Sequence, residues 1–364
     1  MSRGTCVTVH LDNLRHNLRT AQAHAPDSRV WAVVKANAYG HGLVPVARTL
    51  APLSDGLAVA TLDEALCLRE AGLSGPVMLL EGTVSATQTE QALARNLELV
   101  LHHPEQIAWL AACQVPAPVR VWLKIDTGMH RLGVMPDQAP DLIRQLQSLS
   151  QVEQVATMTH FARADDPEHD MTITQAELLN NATLPGCATS LANSAGVLFW
   201  PGRQGDWVRP GIMLYGATPA PGRSAAELGL RAGMTLTAPI IALRDLQPGE
   251  AVGYGGAFKV EKPMRLATVA MGYADGYPRH APNGTPAAVR GQPVTLAGRV
   301  SMDMLTVDVT SVPEAALGDP VELWGEQVPV DEVAQASGTI GYELLARLSV
   351  RGEVGYSETR TVQS

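Results

Sequence analysis

The chain has 364 residues, of which 46% are hydrophobic and 17% are charged, a composition typical of a globular protein rather than a disordered one. Its net charge is −9 and no block of Lys or Arg stands out, which argues against a nucleic-acid partner. No apolar run approaches the roughly 20 residues that a membrane span needs, and Met1–His10 lacks the apolar core of a secretory signal, so we expect a cytoplasmic protein.

The first two-thirds of the chain alternates short apolar runs with stretches of helical spacing. The apolar runs predict buried strands at Trp31–Ala36, Gly56–Ala60, Pro76–Leu80, Leu97–His102, Val119–Asp126, Val155–His160 and Ala188–Ala192. Helices are predicted at Leu62–Ala71, which the capping-box pair Thr61 and Glu64 opens, and at Pro104–Ala112, Asp137–Leu149 and Glu168–Asn181. Strands that are apolar on both faces and alternate with helices indicate a parallel sheet. With an eighth strand near Val208 or Leu214, the pattern predicts a closed (β/α)8 barrel.

The pattern changes near Gly222–Gly233, a stretch rich in Gly, Ala and Arg. Beyond it, runs rich in Val, Thr and Leu are separated by Pro and Gly, which predicts a mainly antiparallel β domain. These runs are Thr235–Leu246, Leu266–Met271, Gln292–Val300, Leu305–Val309 and Val321–Trp324, with a short helix at Val330–Ser337. We therefore predict a barrel domain over residues 1–228 and a β-rich domain over residues 229–364, with residues 1–10 as candidates to pair with the second domain.

The cysteines of the chain are widely separated in sequence. They are Cys6, Cys67, Cys113 and Cys187. They form no CxxC pair and no zinc-type spacing with histidine, so we expect reduced core thiols and no bound metal.

Lys35 ends the first predicted barrel strand, in the segment Val-Val-Lys-Ala-Asn-Ala-Tyr-Gly-His-Gly at positions 33–42. In a barrel, the C-terminal ends of the strands form the active face. Partial dehydration there lowers the pKa of an amine and makes it a nucleophile. Schiff-base formation with pyridoxal phosphate (PLP) is one use of such a lysine. The alternative is a strand-edge lysine whose ammonium group simply reaches solvent.

Polar residues recur at the ends of the later predicted strands. Arg131 lies in the segment 126–133, His160 in 158–162, Ser194 in 192–194 and Arg209 in 208–216. One such residue is usually a surface group, but several that converge on one face of a barrel make a site.

Four motifs of the second region complete an ordered series. They are Gly253–Gly255, Met271–Tyr277, Gly298–Met304 and Thr339–Glu343. Together with the strand-end motifs, they resemble those of the alanine racemases, in order and over essentially the whole chain. The resemblance implies a PLP-dependent isomerase that interconverts L-alanine and D-alanine by a two-base mechanism.

The resemblance also implies roles for individual residues. Lys35 would hold the cofactor as a Schiff base and serve as one acid/base group, and Tyr254 from the partner subunit of a homodimer with shared active sites would be the other. Arg209 would contact the pyridine nitrogen, and His160 would link Arg209 to Tyr254. The implied cofactor-binding residues are Lys35, Tyr39, Arg131, His160, Asn193, Ser194, Arg209, Gly211, Ile212 and Tyr342.

The substrate carboxylate would contact Arg131 and the backbone N–H of Met302. Lys124 matches a position that is often carbamylated in the family, next to Arg131. Position 130 is His, where the family loop usually has glycine or a small polar residue, so we expect a bulky side chain that crowds Lys124. Because an arginine does not give up its proton, the ring beside Arg209 would stay a weak electron sink, which favours reprotonation at Cα over transamination.

Alternatives to this function remain open at the level of sequence. A broad-specificity racemase for serine, lysine or arginine belongs to the same class, but those enzymes are usually exported. A PLP decarboxylase of the same two-domain plan would need a C-terminal cysteine, and the last cysteine here is Cys187. A non-catalytic PLP-binding barrel would lack the second domain, and a cofactor-free binding protein is the remaining class. Supply of D-alanine for peptidoglycan and alanine catabolism are both possible roles.

Overall fold

The computed structural model describes residues 3–114 and 117–358, so the predicted domain limits at residues 1 and 364 lie outside the described residues. The first strand, β1 (Cys6–His10), does not join the barrel that follows it. It lies in the second sheet, antiparallel to one strand and parallel to another.

Eight parallel strands close a barrel in chain order, as predicted. They are β2 (Arg29–Val33), β3 (Gly56–Val59), β4 (Val77–Leu79), β5 (Glu98–Leu101), β6 (Val119–Lys124), β7 (Val152–Met158), β8 (Thr189–Ser190) and β9 (Trp207–Val208). The barrel closes where β9 pairs with β2, with Arg29 opposite Trp207. Most of their side chains are buried, because one face of each strand fills the barrel and the other packs under helices.

Helices follow most of the barrel strands, and the last two helices of the described chain come after the barrel, in the second domain. They are α1 (Leu11–His24), the left-handed turn α2 (Lys35–Tyr39), α3 (Leu43–Leu50), α4 (Leu62–Glu70), α5 (Ala86–Ala94), α6 (Pro104–Ala112), α7 (Ala139–Gln147), α8 (Met171–Ala182), α9 (Ser194–Phe199), α10 (Val330–Ala336) and α11 (Gly341–Ala346). The capping box predicted for α4 is present, with Thr61 accepting from the Glu64 backbone N–H. Among the described residues, no helix has the length and hydropathy needed to cross a bilayer.

The second domain is a curled, mainly antiparallel sheet, as predicted. Its strands are β10 (Met234–Leu246), β11 (Ala251–Val252), β12 (Phe258–Lys259), β13 (Met264–Val269), β14 (Pro286–Val289), β15 (Gln292–Leu296), β16 (Leu305–Asp308), β17 (Pro320–Trp324) and β18 (Glu353–Ser357). Eight strands form one sheet in the order β13-β16-β15-β14-β17-β10-β1-β18, and β10 also pairs with β13. The sheet therefore closes on itself around the long strand β10, and β11 and β12 form a separate hairpin.

Several predicted boundaries differ from those in the structure. The predicted strands Trp31–Ala36 and Val119–Asp126 end earlier, at Val33 and Lys124, because the chain turns away from the ladder at both points. At the second point, the Asp126 carboxylate accepts the backbone N–H groups of Gly128 and His130 and so favours a turn. The elements not predicted include α1, which has no side-chain N-cap to mark its start.

Three tryptophans fill the amino end of the barrel. Trp31 stacks on Trp207 at a centroid distance of 4.9 Å and meets Trp122 edge-on at 6.1 Å. The Trp122 indole N–H donates to Glu98 at 2.7 Å, which satisfies a buried donor. The Arg120 guanidinium lies over Trp207 at 5.5 Å. Because this end is packed, the space that remains lies at the carboxyl end of the strands.

Candidate active site

A cavity of about 480 Å³ lies at the carboxyl ends of the barrel strands. The predicted site residues on its lining are Lys35, Tyr39, Lys124, Arg131, His160, Asn193, Ser194, Arg209, Gly211, Ile212 and Tyr342. Residues far apart in sequence meet there because each follows a different strand of one barrel. The structure thus brings together the predicted residues of the first domain, with Tyr342 from the second.

Two predicted residues do not line this cavity in the single chain. Tyr254 and Met302 both belong to the second domain, and their exposed fractions are 73% and 53%. A single exposed apolar side chain is common on a protein surface, but this domain exposes several, among them Tyr273 and Met304.

The cavity is lined by an excess of positive charge. Lys35, Lys124, Arg131 and Arg209 contribute cations, and Glu81 is the one acidic residue on the lining within the described part of the chain. Clustered cations in a partly dry site repel one another unless an anion enters. The lining therefore favours a ligand with negatively charged groups.

Burial and the Arg131 charge lower the pKa of the Lys35 amine below its ordinary value, against a smaller opposing effect of Glu81 and Glu64. A lysine with a lowered pKa has a larger neutral fraction at neutral pH, so its Nζ is available as a nucleophile or as a base. This is the property expected of Lys35 from its place at a strand end.

A left-handed turn connects Lys35 to Tyr39. Ala36, Asn37, Ala38 and Tyr39 all have φ between 51° and 54°. For residues other than glycine, this conformation costs roughly 1–2 kcal/mol each, so contacts elsewhere must hold the turn. Gly40 follows at φ 79°, and a Cβ there would lie 2.1 Å from the Leu345 carbonyl oxygen, so only glycine allows α11 to pack this closely.

Next to the turn, small groups form a cradle. The backbone N–H groups of Gly211 and Met213 donate to Ser194 Oγ at 2.9 and 3.4 Å. A Cβ at Gly211 would lie 2.5 Å from the Tyr39 hydroxyl, so the absence of a side chain lets this hydroxyl approach the Gly211 backbone. The hydroxyl groups of Tyr39 and Ser194 lie beside this backbone and can donate hydrogen bonds to the oxygens of a phosphate.

Arg209 is buried, and its acceptors in the described residues are neutral. Its guanidinium donates to the carbonyl oxygens of Thr159, at 2.6 Å, and Leu191, at 3.2 Å, and to the hydroxyl of Ser190. Burial lowers the pKa of Arg209 to about 10, which still leaves it charged at neutral pH. An unneutralised guanidinium is thus fixed at the centre of the site.

His160 lies beside this charge and is neutral at neutral pH. Burial lowers its pKa well below the ordinary value, and the charge of Arg209 lowers it further. The buried amide of Gln175 donates to the His160 carbonyl oxygen at 3.1 Å and to Thr127 Oγ1 at 3.2 Å, which fixes the ends of two neighbouring strands. The positive charge available near His160 therefore resides on Arg209.

Lys124 ends β6 close to Arg131. Burial first, then the charges of Arg209, Arg131 and Lys35, lower the pKa of its amine to about 8. The expectation that His130 crowds Lys124 is wrong for this chain. The His130 side chain is 75% exposed, it pairs with Asp126 at 3.1 Å, and it does not line the cavity.

Sequence reasoning missed some groups that hold the site in place. Glu64 was recognised only as part of a capping box, although its carboxylate also accepts from the Ala36 backbone N–H at 2.6 Å. Gln175 and Ser190 gave no signal, because a buried amide or hydroxyl looks like a surface residue in the sequence. His41 stood in the Lys35 motif and received no role.

Comparisons with known proteins agree with this geometry. The family model of the alanine racemase N-terminal domain matches residues 9–219, and that of the alanine racemase C-terminal domain matches residues 233–356. The alanine racemase of Thioalkalivibrio sulfidiphilus (strain HL-EbGR7) is 51% identical over 98% of this chain and 99% of its own. That of Azoarcus sp. (strain BH72) is 50% identical over 95% of this chain and 97% of its own.

Solved structures give the same result. The biosynthetic alanine racemase from Pseudomonas aeruginosa has a TM-score of 0.94 at 48% identity, covering 98% of this chain and 99% of its own. The alanine racemase from Bartonella henselae, solved with covalently bound pyridoxal phosphate, has a TM-score of 0.87 at 30% identity, covering 97% of this chain and 99% of its own.

The fold is a barrel with an appended β domain, and partly buried Lys35 lies in the cavity at the carboxyl end of the barrel. These features define a two-domain enzyme of the barrel class. The chain belongs to the alanine racemase family, and the resemblance of its motifs is confirmed. This is a family of PLP-dependent isomerases that interconvert L-alanine and D-alanine by a two-base mechanism.

Proposed function

We propose that this chain interconverts L-alanine and D-alanine, with Lys35 and Tyr254 as its two acid/base groups. The main support is the cavity itself, in which a lysine of lowered pKa meets a cationic lining suited to anionic groups. An amino acid brings a carboxylate to such a site, and alanine needs little room for its methyl group.

The residues of the cavity fit PLP. Lys35 would hold it covalently through Nζ, while its phosphate would lie where the Tyr39 hydroxyl approaches the Gly211 backbone. The residues assigned to the phosphate are Tyr39, Ser194, Gly211, Ile212 and Tyr342. Arg209 would face the pyridine nitrogen, with His160 beside the ring and Asn193 and Arg131 as further contacts. When bound, PLP supplies the electron sink that makes the Cα proton of an amino acid acidic.

The substrate carboxylate is assigned to Arg131 and to the backbone N–H of Met302. Arg131 needs a fixed orientation to bind the carboxylate, and we propose that a carbamylated Lys124 provides this orientation. A neutral amine attacks CO₂ and releases one proton, which leaves a carbamate of charge −1 on Nζ. A pKa of about 8 leaves an appreciable neutral fraction of Lys124 at neutral pH and so supports the assignment.

The two bases would work from opposite faces of the substrate. Lys35 Nζ takes the Cα proton on one face or returns it there, and the Tyr254 hydroxyl does the same on the other, so the configuration inverts without large movement. A phenol accepts a proton readily only near positive charge, which buried Arg209 supplies behind the neutral His160.

Tyr254 and Met302 would reach the cavity from a second copy of the chain. Their exposure, together with that of Tyr273 and Met304, supports an interface on this side of the second domain. The active enzyme is then a homodimer with two shared sites.

The domain division and the cellular role are also proposals. We place the barrel domain at residues 1–228 and the β-rich domain at 229–364. The start of β10 at Met234 supports this division, and within the described chain β1 is the one barrel-domain strand that pairs with the second domain.

Free thiols at all four cysteines support a cytoplasmic location. Supply of D-alanine for peptidoglycan is supported by similarity to the Pseudomonas aeruginosa enzyme, which is described as biosynthetic. Rescue of a D-alanine auxotroph by the chain tests this role.

A racemisation assay against a panel of L-amino acids, with PLP added, tests the proposed activity. We expect L-alanine to be the best substrate, with activity abolished in Lys35→Ala and unchanged in the surface control Lys262→Ala. Racemisation that survives in Lys35→Ala, or a clear preference for serine, lysine or arginine, would contradict the proposal.

A further inference from the structure

His41 is a buried histidine that the proposed mechanism does not use. It is completely inaccessible to solvent, and it lies two residues beyond Tyr39. Burial lowers its pKa to about 4, so the ring is neutral at neutral pH. A neutral, buried imidazole this close to a site is a candidate for holding other residues in place.

The hydrogen bonds of His41 fix its tautomer. Nδ1 lies 3.1 Å from the carbonyl oxygen of Ala38 and 2.9 Å from that of Tyr39. Both partners can only accept, so Nδ1 must be the nitrogen that donates. Nε2 has no partner among the described residues, so the only polar contacts the structure gives the ring are to the left-handed turn.

The ring also packs against the aromatic side chains of the site. It lies 4.7 Å from the Tyr215 ring, and Tyr215 stacks on Tyr39 at 4.6 Å. The Tyr215 hydroxyl donates to the Val33 carbonyl oxygen at 2.9 Å, in the strand that precedes Lys35. The His41 ring thus contacts the backbone of the turn directly, and it supports the Tyr39 ring through Tyr215.

The turn needs such contacts, because the four residues 36–39 are all left-handed and none of them is glycine. Two further side chains contact the turn at its exposed residues. The Asn37 side chain accepts from the Leu43 backbone N–H at 2.8 Å, and the Glu64 carboxylate accepts from the Ala36 backbone N–H.

We propose that His41 is a positioning residue for the cofactor site. By donating from Nδ1 to the turn, it sets the spacing between the amine of Lys35 and the hydroxyl of Tyr39. These two groups would hold the aldehyde carbon and the phosphate of one PLP molecule, so the inference rests on the proposed function. Loss of the His41 donor should therefore weaken PLP binding more than it weakens the fold.

The test compares PLP affinity in cofactor-free proteins. Wild type, His41→Leu, His41→Asn and Val307→Ala are treated with hydroxylamine and titrated with PLP, following the absorbance of the bound cofactor and the tryptophan fluorescence. Val307 is buried in the second sheet, so its truncation lowers the melting temperature without touching the turn. We expect His41→Leu to raise the Kd about tenfold and Val307→Ala to leave it unchanged. His41→Asn, whose amide can donate from nearly the same place, should stay within about threefold of wild type.

Asn37→Ala covers the case in which His41→Leu does not fold. Its side chain is on the surface, so folding should tolerate the change, and we expect PLP to bind about threefold more weakly because the turn loses one contact. Wild-type affinity in every folded turn variant overturns the role of His41, as does an equal loss of affinity in Val307→Ala. Failure of the wild-type protein to bind PLP overturns the proposed function instead.

Discussion

The Glu64 carboxylate accepts a hydrogen bond of 2.6 Å from the backbone N–H of Ala36, the residue that follows Lys35. Its other oxygen accepts from the backbone N–H groups of Ala60 and Thr61 at 2.8 and 3.2 Å. One side chain therefore joins the end of β2, the end of β3 and the start of α4. Its charge also raises the pKa of Lys35, against the larger lowering caused by burial.

Glu64→Gln is expected to lower the pKa of the Lys35 amine further, because it removes a nearby negative charge and keeps an acceptor oxygen for Ala36. The pH dependence of PLP uptake by the cofactor-free protein measures this, since the neutral amine is the reactive form. The midpoint should move to lower pH in Glu64→Gln and stay in place in Glu70→Gln, at the exposed end of α4. An unchanged midpoint in Glu64→Gln would contradict the prediction.

A site shared between two chains predicts complementation. Lys35→Ala and Tyr254→Phe homodimers should each have little activity, but a hybrid dimer has one site with both acid/base groups intact. Mixing the two proteins under conditions that exchange subunits should recover about a quarter of wild-type activity, since half of the dimers are hybrids with one good site each. Mixing two preparations of Lys35→Ala is the control. No recovery in the hybrid mixture would show that Tyr254 does not act across an interface.

Carbamylation of Lys124 can be detected directly. Protein incubated with ¹³C-bicarbonate should show a carbamate resonance in the ¹³C NMR spectrum, absent from Lys124→Arg and retained in Lys262→Ala. Its intensity should rise between pH 6 and pH 8, because the neutral amine fraction increases as pH approaches the pKa of about 8. In Lys124→Arg, we expect KM for alanine to rise more than kcat falls, because Arg131 would lose its orienting partner. A spectrum identical to that of Lys124→Arg would remove the carbamate from the site.

Asp331 predicts a pH-dependent contribution to stability. Its carboxylate accepts from the Thr218 backbone N–H at 2.8 Å, and burial raises its pKa from 3.8 to about 6. The folded state therefore holds this proton more tightly than the unfolded state, so stability falls as pH rises through the interval from about 4 to 6. Asp331→Asn removes this dependence, so the free energy of unfolding of the variant minus that of wild type should be about 1–3 kcal/mol larger at pH 7.5 than at pH 4.

Urea unfolding at the two pH values measures this difference, with Glu261→Gln, at an exposed position of the second domain, as the control. Equal differences between Asp331→Asn and wild type at both pH values would contradict the raised pKa. A larger benefit of the substitution at pH 4 would give the opposite sign and contradict it too.

The sequence predicted the fold well because its evidence is periodic. Apolar runs at Gly56–Ala60 and Leu97–His102 are short and lie between helical stretches, a pattern typical of the strands of a parallel sheet. The same logic placed Lys35, His160 and Arg209 at strand ends, and a barrel brings strand ends together whatever the details of the loops.

The parts that could not be predicted depend on local conformation and on partners distant in sequence. Ala36 and Ala38 favour right-handed helix, and only the completed structure supplies the His41 and Glu64 contacts that hold them left-handed. Hydrophobic pattern encodes burial but not the sign of φ. Likewise, nothing near Arg209 in sequence reveals that the hydrogen-bond acceptors of its guanidinium are neutral.

The pairing of β1 with β18 places the first and last strands of the described chain side by side, Cys6 opposite Glu353. During synthesis on the ribosome, the whole barrel emerges before β18 does. The barrel can therefore close while one edge of β1 is still unpaired. β18 then completes the second sheet after the strands before it have been made. A chain shortened before residue 353 would therefore expose one edge of β1, which makes truncation at that point a route to misassembly.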